Sequence, residues 1–167
     1  MRKYSVLVII LLLSMSASAQ NDSILELKNR IIQIQNQGKL SFANVTLCSQ
    51  IFGFASYVPL LNNVIDAKGS LVLYYEPNNI FTNVKNGLYE IWYTQDLALY
   101  KDGQMIQEWK DFLQFKHTAN KPAMDLFARN SVDFEGRLPV GSYSLKLLIK
   151  DRISGKSAET SVEFQLK

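Results

Sequence analysis

Asp102-Gly103 separates two long stretches of strand-forming sequence, and no other residue pair constrains the fold of this chain as tightly. Asp-Gly suits a type I′ turn, in which both central residues adopt positive φ and the twist matches that of a β-hairpin. Leu88 to Lys101 is predicted as the outgoing strand and Gln104 to Phe115 as the returning one. The same alternation recurs on either side of this hairpin. Val45 to Phe52 ends near Gly53, and Ser70 to Glu76 follows Gly69 and is closed by Pro77. Leu126 to Phe134 is a weaker strand. In Tyr143 to Lys150, the residues Tyr143, Leu145, Leu147 and Ile149 share a face. After a Ser154-Gly155 turn, Thr160, Val162, Phe164 and Leu166 alternate with Ser161, Glu163 and Gln165. Such alternation means that one face of each strand packs while the other meets water. About seven short strands with turns between them predict a mainly β, antiparallel, two-sheet sandwich. Residues 53–68 and 116–125 show the least regular pattern.

The first forty residues follow a different period. Arg2 and Lys3, the apolar run Val6 to Leu13, and Ala17-Ser18-Ala19 form the three parts of an export signal, predicting cleavage before Gln20. The apolar run is shorter than the roughly 20 residues a membrane-spanning helix needs, so no transmembrane segment is expected in the mature chain. Residues 22–37 are predicted as an amphipathic helix, capped by Asp22 or Ser23 and ended by Gly38. Ile24, Leu27, Ile31 and Ile34 form its apolar stripe, available either to pack on the domain or to bind a partner. The predicted organisation is therefore a signal peptide over 1–19, a helix over 20–39 and a β domain over 40–167.

A domain of this size buries enough surface to fold without a metal or disulfide. The one cysteine, Cys48, has no partner within the chain and is expected to be a buried apolar side chain. The net charge is +3, and two of those positive charges, Arg2 and Lys3, lie in the predicted signal. Without a block of Lys and Arg, an electrostatic nucleic-acid surface is not expected.

The run Leu138-Pro139-Val140-Gly141-Ser142-Tyr143-Ser144-Leu145, continuing to Asp151 and Ser154-Gly155-Lys156, resembles the ending of bacterial immunoglobulin-like domains. There a Pro-x-Gly-x-Tyr corner precedes the penultimate strand, and its tyrosine hydroxyl bonds back to nearby backbone. Ile51-Phe52-Gly53-Phe54 and Gly69 through Glu76 are similar to segments of secreted bacterial proteins of unknown function. The resemblance implies an immunoglobulin-like sandwich, without the cysteine pair of antibody domains, and it implies no activity.

The chemistry-bearing residues are sparse. His117, the only histidine, lies in a stretch expected to be a solvated loop, and no Gly-x-Ser-x-Gly elbow accompanies it. No Cys/His spacing fits zinc, and no glycine-rich loop fits phosphate. Glu76, Glu90, Asp96 and Glu108 fall on predicted strands, where a pair could in principle flank a sugar. Asp125, Asp133, Glu135 and Asp151 could meet near strand ends but lack the spacing of a calcium loop.

The hairpin itself offers the best candidate surface. A two-residue turn sets Tyr100 opposite Met105 and Asp96 opposite Trp109. That register gathers Trp92, Thr94, Asp96, Tyr100, Gln107 and Trp109 on one face, and Tyr93, Leu97, Leu99, Ile106 and Phe112 on the other. Trp92, Asp96, Tyr100, Gln107 and Trp109 then form a wet candidate binding face, whereas a bulge after Ile106 would turn Trp109 inward. The function these features predict is a non-enzymatic binding or scaffolding module, periplasmic or secreted, whose partner is an envelope or extracellular protein. The alternative is a polysaccharide-binding module using exposed Trp and Tyr; a glycoside hydrolase with paired carboxylates comes third. No cofactor, metal ligand or catalytic residue is assigned.

Overall fold

The computed structural model describes the backbone from Arg2 and the side chains from Gln20 onward. The signal-peptide expectation for residues 1–19 therefore rests on side chains outside the described residues. One helix, α1 (Arg2–Gln37), precedes ten strands. These are β1 (Ser41–Gly53), β2 (Ser56–Pro59), β3 (Val64–Ile65), β4 (Ser70–Asn78) and β5 (Asn83–Lys85). Then come β6 (Leu88–Lys101), β7 (Gln104–Ala119), β8 (Ala128–Asp133), β9 (Gly141–Asp151) and β10 (Ser157–Leu166). The chain divides into two compact units, residues 1–34 and 35–167. No helix among the described residues is long and apolar enough to cross a membrane.

In the first unit the helix runs on through Asp22 and Ser23, so neither caps its start. The stripe residues Ile24, Leu27, Ile31 and Ile34 are exposed.

The second unit contains the end of the helix and all ten strands. Gly38 ends α1 as expected, its N–H donating to the Gln35 carbonyl at 3.0 Å. A Cβ here would stand 2.7 Å from the Asn79 amide, which would have to shift from its bond to the Lys39 carbonyl. Lys156 donates to the carbonyls of Asn36 and Gly38 at 2.9 Å each, placing a cation where helix carbonyls lack partners.

The strands form two sheets. One has the order β2-β1-β4-β8. The other runs β3-β10-β9-β6-β5, with β7 on the remaining edge of β6. β5 pairs only with Leu88 to Glu90, continuing the edge of β6 where β9 stops, so the second sheet is five strands across. The β1–β2, β5–β6, β6–β7 and β9–β10 pairs join neighbours in the chain, whereas β1–β4, β4–β8 and β6–β9 join strands with others between them. All of these are antiparallel, and β3 joins β10 in parallel. The seven predicted strands are all present. The three additional ones, β2, β3 and β5, have two to four residues each, too few for alternation to register. Pro77 does not close β4, which continues to Asn78. β8 pairs only as far as Tyr75, so at Pro77 the strand has one neighbour and a missing N–H is tolerated.

One core lies between the sheets. Leu71, Leu73 and Tyr75 of β4 meet Ile91, Tyr93, Leu97 and Leu99 of β6, Tyr143, Leu145, Leu147 and Ile149 of β9, and Phe164 and Leu166 of β10. Each set recurs at every second residue, as a pleated strand requires. Gln95 breaks the apolar run of β6, accepting from the Tyr75 hydroxyl at 2.6 Å and the Asn130 amide at 3.2 Å. All three side chains are buried, and together they tie β6 to β4 and β8 across the core. Burial raises the Tyr75 hydroxyl well above its ordinary range and pushes Tyr93 up to about 12. The Tyr143 hydroxyl donates to the Pro139 carbonyl at 2.5 Å, four residues upstream, and its ring stacks on Phe164 at 5.6 Å.

Candidate functional site

The β6–β7 hairpin turns at Asp102 and Gly103 with φ of 52° and 76°, the type I′ geometry. Lys101 opposes Gln104 and Tyr100 opposes Met105, as the sequence implies. The register then slips. Leu99 opposes Gln107, leaving Ile106 as an extra residue, and Trp109 opposes Leu97 in place of Asp96. A one-residue slip moves every following side chain to the other face. A second irregularity sets the single residue Asp96 against three, Lys110 to Phe112, before Leu113 resumes pairing with Gln95.

The five candidate residues are consequently divided. Trp92, Asp96 and Tyr100 stay on the outer face of the larger sheet, while Gln107 and Trp109 turn to the inner side beside Leu99 and Leu97. Trp92 is 36% exposed, with the Lys116 ammonium 4.6 Å from its ring centroid. Lys116 also pairs with Glu90 at 3.5 Å. Tyr100 is half-buried and has Lys146 5.7 Å from its ring. It lines a shallow cleft of about 480 Å³ with Ser142, Ser144, Lys146, Ser161 and Glu163.

Asp96 is buried and structural. It accepts from the Asp111 N–H at 2.9 Å and from the Lys150 ammonium. Burial alone would raise its carboxyl, but these two bonds, with the charges of Lys150 and Lys110, outweigh it and hold the group below the usual carboxylate range. Asp111 has a φ of 49°, so the carboxylate fastens the one residue of the wide bulge held in left-handed backbone. Sequence reasoning missed this role because nothing local marks it: the two residues lie on different strands.

Trp109 packs against the core with Phe112, Leu113 and Phe115, yet all four are only partly buried. The reason is the unequal width of the sheets. Gln95 places β6 across from β4 and β8, so β7, one strand further out, overhangs β8. The overhang opens a groove of about 380 Å³ along that side. Gln107, Trp109 and Phe112 form one wall, and Val132, Asp133 and Phe134 belong to the other. Trp109 and Phe112 meet edge to face with centroids 6.3 Å apart. Glu135 and Arg137, paired at 3.2 Å, stand at the end of the groove, and Asp133 accepts from the Ser70 hydroxyl.

The other chemistry-bearing residues are dispersed. His117 lies on β7 and not in a loop; it is exposed, and its ring is 6.1 Å from Phe115. Glu76 lies on the smaller sheet, accepting from the Tyr74 hydroxyl at 2.6 Å, whereas Glu108 pairs with Lys110 at 3.6 Å. Burial, then the neighbouring Glu76, pushes Tyr74 up to about 12. Asp151 is buried and takes the N–H groups of Phe81, Ile153 and Ser154. Among the described residues no three His, Cys, Asp or Glu side chains stand together as a metal site. Cys48 is buried, its thiol raised by that burial.

The sequence matches no protein-family model and no curated protein.

Proposed function

We propose that residues 1–19 direct export and that the mature chain is a non-enzymatic, immunoglobulin-like binding module, periplasmic or secreted, which engages another protein of the envelope or cell exterior. The observation that carries this reading is the open side of the domain. There an outermost strand of 16 residues presents half-buried Trp109 and Phe112 beside a groove, with half-buried Phe115 further along the strand. Aromatic rings left partly uncovered at a sheet margin are the kind of surface a protein partner desolvates, and aromatic residues are enriched at such interfaces. The immunoglobulin-like class is supported by the two facing sheets and by the Tyr143 bond to Pro139.

A second reading, a polysaccharide-binding module, draws on the Tyr100 cleft, where a half-exposed ring adjoins three serines, Lys146 and Glu163. Purification of the chain from native envelope after crosslinking discriminates the two. The protein-binding reading expects a chain beginning at Gln20, linked to a defined partner through the β7 side. A chain that begins at Met1, or one that retains only glycans and does so through Tyr100, would overturn it.

A further inference from the structure

We propose that the partner docks as an added β-strand: an extended segment of another protein lies along the free edge of β8, beneath β7, with apolar side chains at alternate positions and a basic one beside Asp133. This rests on the protein-binding reading above. β8 pairs with β4 on one side only, from Tyr75 opposite Ala128 to Ser70 opposite Asp133. Among the described residues its other edge makes no backbone bond. An unpaired strand edge is a template for another extended chain, with main-chain bonds giving affinity and side-chain slots giving choice.

The groove supplies slots of the right spacing. Side chains on one face of a strand recur about every 6.6–6.8 Å. The Trp109 and Phe112 centroids are 6.3 Å apart, so two successive inward side chains of the incoming strand would each meet one ring. Gln107, at the same wall, can bond the exposed main chain. Charge selects the rest. The lining holds Asp133, Glu135 and Arg137, and Arg137 is engaged by Glu135 at 3.2 Å. The Asp133 carboxylate is left with a neutral partner, Ser70. A Lys or Arg of the incoming segment complements it.

The experiment is selection of the mature chain against a display library of random short peptides, followed by backbone hydrogen exchange with the recovered peptides. The expected peptides alternate apolar residues and carry a Lys or Arg near one end. They protect amides of Ala128 to Asp133 from exchange. Gln107→Trp, which fills the groove, and Asp133→Lys, which reverses its charge, sit at exposed positions and leave the fold intact. Each should weaken binding about tenfold or more, whereas Trp92→Ala should not. Peptides that bind but protect another surface, and ignore both substitutions, overturn the added strand while leaving protein binding standing. Self-association that Gln107→Trp abolishes would make the occupant a second copy and overturn the proposed partner. Failure to recover any peptide, with binding of glycans instead, overturns both.

Discussion

Replacing Trp109 with alanine tests the slipped register of β7 directly. Had the hairpin kept the spacing of its turn, Trp109 would stand on the outer face opposite Asp96, and its loss would change stability little. In the structure it opposes Leu97 and packs on the core together with Phe112. Full removal of a core tryptophan costs about 3–5 kcal/mol through lost transfer energy and the cavity left behind. Trp109 is only half-buried, since among the described residues its groove side is open. The expected loss is therefore about 2 kcal/mol. With a urea dependence of about 1–3 kcal/mol per molar for a small domain, the unfolding midpoint falls by about 1 M. Trp92→Ala provides the internal comparison. That ring is outward and 36% exposed, with the Lys116 ammonium 4.6 Å from its centroid. Its cation–π contact contributes about 0.5–1 kcal/mol, so its midpoint moves less. Urea titration of both variants, followed by far-ultraviolet circular dichroism, gives the order. A Trp109 variant as stable as the parent, or less affected than the Trp92 variant, would refute the extra residue at Ile106.

Two further outcomes follow from buried polar contacts. Tyr143→Phe deletes the hydroxyl bond to Pro139 and leaves a carbonyl without its donor, so unfolding should become easier by about 0.5–1.5 kcal/mol in thermal or urea titration. Asp96→Asn removes the charge that holds Lys150 and should cost about 1–2 kcal/mol at neutral pH, at the low end because the Lys150 side chain is 35% exposed. The folded pKa of Asp96 is depressed. Its contribution is therefore fully present above the unfolded value of about 3.9 and is lost as pH falls through the lower, folded one. The gap between parent and variant should close below about pH 4, and a gap constant from pH 7 to pH 2 would contradict the assignment.

The parts of the fold legible in sequence are those where local pattern and tertiary demand agree. β6 begins and ends where alternation and Asp102-Gly103 place it, and Tyr143 to Ile149 keep one face inward for the whole strand. What sequence did not reveal lies in departures from regular pairing. Ile106 is an ordinary β-branched residue, and the only sign of a bulge near it is that an unbroken register would set Glu108 and Lys110 on the apolar face. The alternative of a bulge after Ile106 is close to the observed one, in which Ile106 itself is the extra residue. The three-residue excursion at Lys110 to Phe112 depends on Asp96, a residue on the partner strand, whose carboxylate is the acceptor that makes it affordable. The candidate face was divided for the same reason, because a single slip sends Trp109 and Gln107 inward while Trp92, Asp96 and Tyr100 remain outside. His117 was assigned to a loop because Lys116-His117-Thr118 is polar throughout, yet pairing with Glu90 and Ile91 carries β7 on to Ala119.

The two bulges also bear on which edge a partner can use. A strand of 16 residues unpaired on one side would invite edge-to-edge association of whole molecules. β7 counters this along its length: Ile106 and Lys110 to Phe112 break its regular spacing, Asp111 takes left-handed backbone, and Lys110 and Lys116 carry charge on exposed stems. Bulges and lysines of this kind are how natural sheets discourage an added strand. β8 has no such interruption, and its register with β4 is unbroken over all six residues. Its shelter comes from above, from the overhang of β7 and the rings of Trp109 and Phe112. An approaching flat sheet edge meets the bulged β7 first and finds no regular ladder, whereas a single extended segment can enter the groove and reach β8. The features that make β7 a poor template thus restrict access to β8 to a narrow, unpaired chain, which is the form of partner that the Trp109 groove accommodates.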